Sequence, residues 1–138
     1  MKNKDKESDK NKIDTQKLMF DLLEEIYDTD QEKAYVFTFS QDNSLLGKDL
    51  ISVGGFSAVY IDLKVLFKRV LMHNGCKFLL VHNHPTQNTD PSDADIEMTE
   101  RIDYISKEMD LQMLDHIILG QGKIKSIKAH IKKLKEGK

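Results

Sequence analysis

The chain has 138 residues with a formal net charge of −2, and 39% of its residues are hydrophobic. This length predicts one domain that can bury a core, and the slightly negative charge argues against a broad basic surface for nucleic acid. We expect a cytoplasmic protein with no membrane partner and no disulfide framework, because no apolar run reaches the length of a membrane span, the first residues are too polar for a signal peptide, and Cys76 is the only cysteine.

The first part of the chain predicts a charged arm, a helix and a β-hairpin. Residues 1–12 are almost entirely polar, so we expect them to form a disordered charged arm. Residues 14–27 carry apolar side chains at helical spacing and predict a helix. Residues 32–39 are rich in β-branched and aromatic residues and predict a strand. A polar turn follows, and a second predicted strand over residues 45–53 completes a hairpin.

A connector over residues 54–62 leads to a second predicted helix, residues 63–73. Asp62 is a suitable N-cap for this helix, because its carboxylate can accept from a free backbone N–H. His73 stands at the helix end beside Asn74 and Gly75, which form a C-cap signal. We therefore assign His73 to the helix dipole and give it no ligand role.

The most informative run of the chain follows a short apolar strand over residues 78–81. His82 and His84 are two residues apart at the strand end, so their side chains can leave the same face of the sheet. Asp95 falls in the first turn of the next helix, where the dipole favours a carboxylate. Two imidazoles and a carboxylate suit zinc and leave a fourth position for water, whose pKa zinc lowers to about 7. The run predicts one zinc ion per chain.

Helix capping offers a simpler explanation for part of this run. Ser92 and Asp95 also fit an acidic variant of the capping box, in which the two residues satisfy each other's backbone N–H groups. A His-x-His pair alone is a weak signal for a metal site. Both explanations stay open from the residue pattern.

The last part of the chain predicts a helix over residues 92–109, strands over 111–119 and 123–127, and a basic tail over 129–138. Asp115 and His116 lie inside an apolar strand and should therefore be paired. One of them orients a zinc ligand or the loop that carries it, or the two form a structural hydrogen bond. The tail is best explained as a solvated end, although it could contact an acidic partner or nucleic acid.

The run from His82 to Asp95 resembles the JAMM motif of the JAB/MPN metalloproteases, which reads His-x-His-Pro, six residues, then Ser-x-x-Asp. The RadC-like branch of that superfamily is most similar, because its members carry His-Asn-His-Pro here and Leu-Asp-His later. The resemblance spans about residues 32–127. It implies that His82, His84 and Asp95 bind zinc and that Ser92 stabilises the tetrahedral intermediate.

The resemblance also implies a general base. JAMM enzymes use a Glu from an early strand, and Glu32 stands before the aromatic-rich residues 34–37 in the corresponding place. Such a Glu takes a proton from the zinc-bound water and passes it to the leaving amine. One departure is that Asp62 and Leu63 replace a His-Pro pair that RadC-like chains carry before this helix.

The elements predict an α/β three-layer sandwich around a mixed sheet, which the resemblance identifies with the cytidine-deaminase-like JAB/MPN fold. We divide the chain into the arm 1–12, the domain 13–128 and the tail 129–138.

The predicted function is zinc-dependent cleavage of a peptide or isopeptide bond, with a protein activator as a further expected partner. The alternative is a non-catalytic or DNA-repair-associated RadC-like binding module, although the charge does not support DNA. A deaminase is excluded because its zinc set needs cysteines that this chain lacks.

Overall fold

The structure, a computed structural model, describes residues 14–26, 31–54, 61–85, 88–120 and 123–137. The arm over residues 1–12, most of the connector and the predicted turn residues 121 and 122 lie outside this range. The described residues form four helices and five strands, which in chain order are α1 (Thr15–Ile26), β1 (Lys33–Phe39), β2 (Leu45–Val53), α2 (Leu63–Met72), β3 (Lys77–Asn83), α3 (Asp93–Glu108), β4 (Gln112–Gly120), β5 (Lys123–Ser126) and α4 (Ile127–Glu136).

The five strands form one mixed sheet in the order β2-β1-β3-β4-β5. Strand β1 runs antiparallel to both β2 and β3, which confirms the predicted hairpin. Strands β3 and β4 are parallel, and β5 returns antiparallel to β4. Almost all side chains of β1 and β3 are buried, because each strand has sheet neighbours on both sides and helices over both faces.

Helices cover both faces of this sheet. Met19 and Leu22 of α1 pack on one face in a cluster with aromatic residues of β1. Leu66 of α2 and Ile102 of α3 pack on the opposite face in a second cluster. Two apolar clusters separated by the sheet confirm the α/β sandwich around a mixed sheet. In the described part of the chain, no helix combines the length and apolar character that crossing a membrane requires.

Two strand ends differ from the sequence prediction. Strand β3 does not end at Val81 but continues to Asn83, because the strands on its two sides pair with this extension through Ala34 and Leu119. Strand β1 begins at Lys33, one residue after the predicted start. These shifts place His82 within the sheet rather than in a loop.

The C-terminal boundary also differs. Strand β5 ends at Ser126, whose Oγ accepts a hydrogen bond of 3.0 Å from the backbone N–H of Ala129 and so caps α4. Ile127, predicted as the last strand residue, is fully buried at the start of this helix. The basic tail therefore belongs largely to α4, which packs against β4 and α3.

Candidate metal centre

Three side chains that can bind a metal converge where β3 ends. His82 belongs to β3, His84 follows it, and Asp95 lies in the first turn of α3. The Nε2 atoms of the two imidazoles are 3.0 Å apart. Each Nε2 is also 3.5 Å from a carboxylate oxygen of Asp95. The structure therefore brings together the three residues that the sequence predicts as zinc ligands.

The spacing of these atoms suits a tetrahedral metal ion. Two ligand atoms bound to zinc at about 2.0–2.1 Å and at a tetrahedral angle are about 3.3–3.4 Å apart. The three separations of 3.0, 3.5 and 3.5 Å lie on both sides of that value. Two imidazole nitrogens and one carboxylate oxygen are also a donor set that catalytic zinc sites use, with one position left for water or substrate. The residues present therefore fit zinc.

A capping box holds the carboxylate of Asp95. The Oγ of Ser92 accepts from the backbone N–H of Asp95 at 3.0 Å, and Oδ2 of Asp95 accepts from the backbone N–H of Ser92 at 2.9 Å. The capping interpretation is thus confirmed. It is compatible with a ligand role, because the box fixes the same carboxylate that faces the two imidazoles.

The ring of His84 is oriented by the backbone of the following loop. Its Nδ1 lies 2.6 Å from the carbonyl oxygen of Asn88. A carbonyl oxygen can only accept, so Nδ1 carries a proton, and Nε2 is the atom that holds the second proton of the imidazolium or, after that proton leaves, presents a lone pair to the cluster. The backbone N–H of His84 donates to the carbonyl of Leu119 at 2.9 Å, which ties this position to β4.

The ring of His82 contacts His116, one of the two paired residues that the sequence singled out in β4. Nδ1 of His82 lies 2.8 Å from Nε2 of His116. On the other side of that ring, Nδ1 of His116 lies 2.6 Å from Oγ1 of Thr99 in α3. The carboxylate of Asp115 instead accepts from the backbone N–H of His116 at 2.7 Å. Of the two residues, His116 is therefore the one whose side chain contacts a predicted ligand.

The electrostatics of the cluster leave one proton for a metal to displace. Burial lowers the pKa of His82 to about 4, despite the nearby charge of Asp95. Burial also acts to lower the pKa of His84, but its contacts with Asp95 and Asn88 raise that pKa above the usual value. Burial acts to raise the pKa of Asp95, but the two imidazoles and Ser92 hold it well below its usual range. Because the pKa of His84 is raised while that of His82 is lowered, His84 is the ligand whose proton competes with a metal.

Glu32 lies immediately before β1 and is only 8% exposed. Asn83 binds the backbone on both sides of it, because its Oδ1 accepts from Lys33 N–H at 2.6 Å and its Nδ2 donates to the Gln31 carbonyl at 3.0 Å. The charge of Glu32 contributes to the raised pKa of His84, which places its carboxylate within electrostatic range of the cluster.

Two of these contacts were missed in the sequence. Asn83 follows the apolar run over residues 78–81 that predicts the strand, and its position between two histidines that share one face of the sheet places its side chain on the opposite face. The partner of Thr99, His116, is 17 residues away along the chain. The motif contained a signal for Asn83, whereas no local pattern identifies Thr99.

An α/β sandwich with a His–His–Asp cluster at the end of a sheet strand defines a domain of the JAB/MPN class. In agreement, the family model described as "RadC-like JAB domain" matches residues 13–133. The chain belongs to this family.

Curated relatives carry the same family relationship without naming an activity. The chain is 31% identical over 123 residues to a "UPF0758 protein" of Methanosarcina mazei, which covers 88% of this chain and 54% of that protein. A "UPF0758 protein" of Finegoldia magna is 36% identical over 95 residues, covering 69% of this chain and 43% of the relative. The chain thus spans about half the length of the curated relatives it matches.

Proposed function

We propose that this protein is a zinc-dependent hydrolase of the JAMM type that cleaves a peptide or isopeptide bond. The observation that carries the proposal is the cluster of His82, His84 and Asp95, whose ligand atoms are spaced at 3.0–3.5 Å. Membership in the RadC-like JAB family supports the same assignment. One zinc ion per chain would supply a polarised scissile carbonyl and a water with a pKa of about 7.

Glu32 acts as the general base in this proposal. It takes a proton from the attacking water and delivers it to the leaving amine. Its burial and the two hydrogen bonds that Asn83 makes to the neighbouring backbone support a carboxylate of defined position. Its electrostatic effect on His84 supports a location at the edge of the metal centre.

Ser92 acts as the donor to the developing negative charge on the carbonyl oxygen. Its Oγ accepts from the backbone N–H of Asp95. Accepting this bond leaves the hydroxyl hydrogen available, because a serine hydroxyl is both a donor and an acceptor. The side chain is exposed beside the cluster, where a substrate can reach it.

The test is cleavage of peptide and isopeptide-linked substrate libraries by the full chain. We expect cleavage that a zinc chelator abolishes and that added zinc restores. Cleavage that continues unchanged in the chelator would contradict the proposal. A predicted protein activator would appear as a factor that raises turnover without changing the zinc content.

A DNA-associated binding role is the second candidate, and a local concentration of cations favours it. The segment formed by β5 and α4 carries the lysines Lys123, Lys125, Lys128, Lys132, Lys133 and Lys135. Cations of this density bind phosphate backbones with a strong dependence on salt. Retention on immobilised duplex DNA that falls with salt, and that falls further in Lys132→Gln/Lys133→Gln, would support this role. Equal retention of the variant would contradict it.

A further inference from the structure

A series of buried hydrogen bonds runs from the metal centre through β4 to α3. His82 Nδ1 lies 2.8 Å from His116 Nε2, and His116 Nδ1 lies 2.6 Å from Thr99 Oγ1. Thr99 Oγ1 in turn lies 2.7 Å from the backbone carbonyl oxygen of Asp95. All three side chains are at most 2% exposed, so their polar atoms must find partners within the protein.

The last contact in this series determines where the protons lie. The Asp95 carbonyl oxygen can only accept, and the Thr99 hydroxyl has one hydrogen to give. Two oxygen atoms 2.7 Å apart require that hydrogen between them. The oxygen of Thr99 must therefore accept its second hydrogen bond, the one from Nδ1–H of His116.

The proton on His116 also sets the direction of its hydrogen bond with the predicted ligand His82. A neutral imidazole has one donor and one acceptor nitrogen, so Nε2 of His116 accepts from Nδ1–H of His82. This leaves a lone pair on Nε2 of His82, the atom that faces Asp95, and the hydrogen in its 3.0 Å contact with His84 then belongs to Nε2 of His84. The reverse order would place a proton on that Nε2 and would leave the oxygens of Thr99 and Asp95 at 2.7 Å with no hydrogen between them.

We propose that Thr99 and His116 are positioning residues that hold His82 in the tautomer able to bind a metal through Nε2. The effect on metal affinity rests on the proposed function, whereas the order of the hydrogen bonds does not. The series also closes on Asp95, which supplies its carboxylate to the cluster and its carbonyl to Thr99. It therefore couples the orientation of one ligand to the helix turn that carries another.

The first test is zinc affinity of the full chain, measured against a competing chelator for Thr99→Val and Thr99→Ser. Valine keeps the shape of threonine but removes the hydroxyl, whereas serine keeps the hydroxyl. We expect zinc binding about 10- to 100-fold weaker in Thr99→Val, the loss typical when the hydrogen bond that orients a ligating histidine is disturbed, because without the hydroxyl the His116 ring no longer holds His82 in one tautomer. We expect binding within about threefold of wild type in Thr99→Ser.

Thr38→Val is the matched control. Thr38 is fully buried, and its Oγ1 has no hydrogen-bond partner among the described residues, so within that part of the chain this substitution removes a core hydroxyl that orients no other group. We expect wild-type zinc affinity in this variant. Equal weakening in Thr99→Val and Thr99→Ser, or wild-type affinity in both, would overturn the positioning role while leaving zinc binding by the wild type in place.

The second test determines the tautomers of His82 and His116 directly. Nitrogen-15 NMR of the metal-free wild-type chain should show a proton on Nδ1 and none on Nε2 of His116, and a proton on Nδ1 of His82. A proton on Nε2 of His116 would overturn the inference. A wild-type chain that binds no zinc would defeat the proposed function, and the same spectrum would still decide the order of the hydrogen bonds.

Discussion

A histidine contacts an aspartate both before β3 and at its end, and the two places differ in what surrounds the imidazole. His73 precedes β3, and its Nε2 is 2.8 Å from Oδ2 of Asp49 in β2. His82 ends β3, and its Nε2 faces both Asp95 and the Nε2 of His84. In the described residues, only the second contact is part of a group of three side chains that could hold a metal.

The difference shows what distinguishes a metal centre from a structural pair. Nε2 of His73 is close enough to its carboxylate for a direct hydrogen bond, so the two groups satisfy each other. In the cluster, the separations to Asp95 are 3.5 Å, and the Nδ1 atoms of His82 and His84 bind other partners. The partners of the two Nδ1 atoms, which point away from the cluster, therefore help to distinguish a metal centre from a structural pair as much as the Nε2 contacts do.

The largest expected effect concerns Glu32, the proposed general base beside the metal centre. We expect Glu32→Gln to lower turnover by about 10²–10⁴-fold, because amide nitrogen cannot accept the proton of the attacking water. Zinc content should stay at the wild-type value. Glu97→Gln, an exposed acid on α3, is the control and should keep full activity. Full activity of Glu32→Gln would refute the assignment of the base.

A comparison with Ser126 separates the proposed catalytic role of Ser92 from its capping role. Both serines accept a 3.0 Å hydrogen bond from the third residue of the helix that follows, so replacing either by alanine should cost about 1 kcal/mol of stability. We expect Ser92→Ala to lower kcat by about 10²–10³-fold. Similar kcat values for Ser92→Ala and Ser126→Ala would limit Ser92 to capping.

Zinc affinity should depend on pH through His84. The pKa of His84 is raised, so below that pKa zinc must displace one proton, and affinity falls about tenfold for each unit of decreasing pH. Above that pKa the affinity should level off. His82, with its pKa at about 4, adds a second proton only in more acidic solution. Calorimetry in buffers of different ionisation enthalpy measures the protons released, and release of none at pH 6 would contradict this account.

The smallest effect is expected at the contact between His73 and Asp49. A Cβ at Gly47 would overlap the ring of His73, so Gly47→Ala should displace that ring from Asp49. We expect a loss of about 0.5–1.5 kcal/mol in the free energy of unfolding, measured in urea, because the His73–Asp49 hydrogen bond is lost, with zinc affinity unchanged. Gly137→Ala is the control, since among the described residues other than its chain neighbours the nearest atom to its Cβ would be the Lys133 carbonyl oxygen, at 3.4 Å. Weaker zinc binding in Gly47→Ala would show that the two regions are coupled.

Hydrophobic periodicity was sufficient to predict most of the fold. The apolar run over residues 78–81 and the alternating strands around it predicted the sheet, and the helical stripes predicted the layers on its faces. Periodicity did not locate where elements end, because pairing with neighbouring strands extends β3 to Asn83. At the C-terminus, burial of Ile127 and the cap at Ser126 convert a predicted strand end into a helix start.

The candidate site was predictable only where its parts are close in sequence. His82, His84 and Asp95 fall within one motif, and the structure brings them together as expected. The contact between Thr99 and His116 depends on which face of α3 packs on β4, which no local spacing specifies. Asn83 lay within the motif, but its partners lie across the sheet at Gln31 and Lys33.

The most direct test is the zinc content of the full chain purified without added metal, compared among wild type, Asp95→Ala and Asp49→Ala. Each variant removes one carboxylate that contacts a histidine. We predict about one zinc ion per chain in wild type and Asp49→Ala and almost none in Asp95→Ala, since catalytic zinc needs three protein ligands. Equal zinc content in the two variants, or no zinc in the wild type even after zinc is added, would contradict the assignment of His82, His84 and Asp95 as a metal centre.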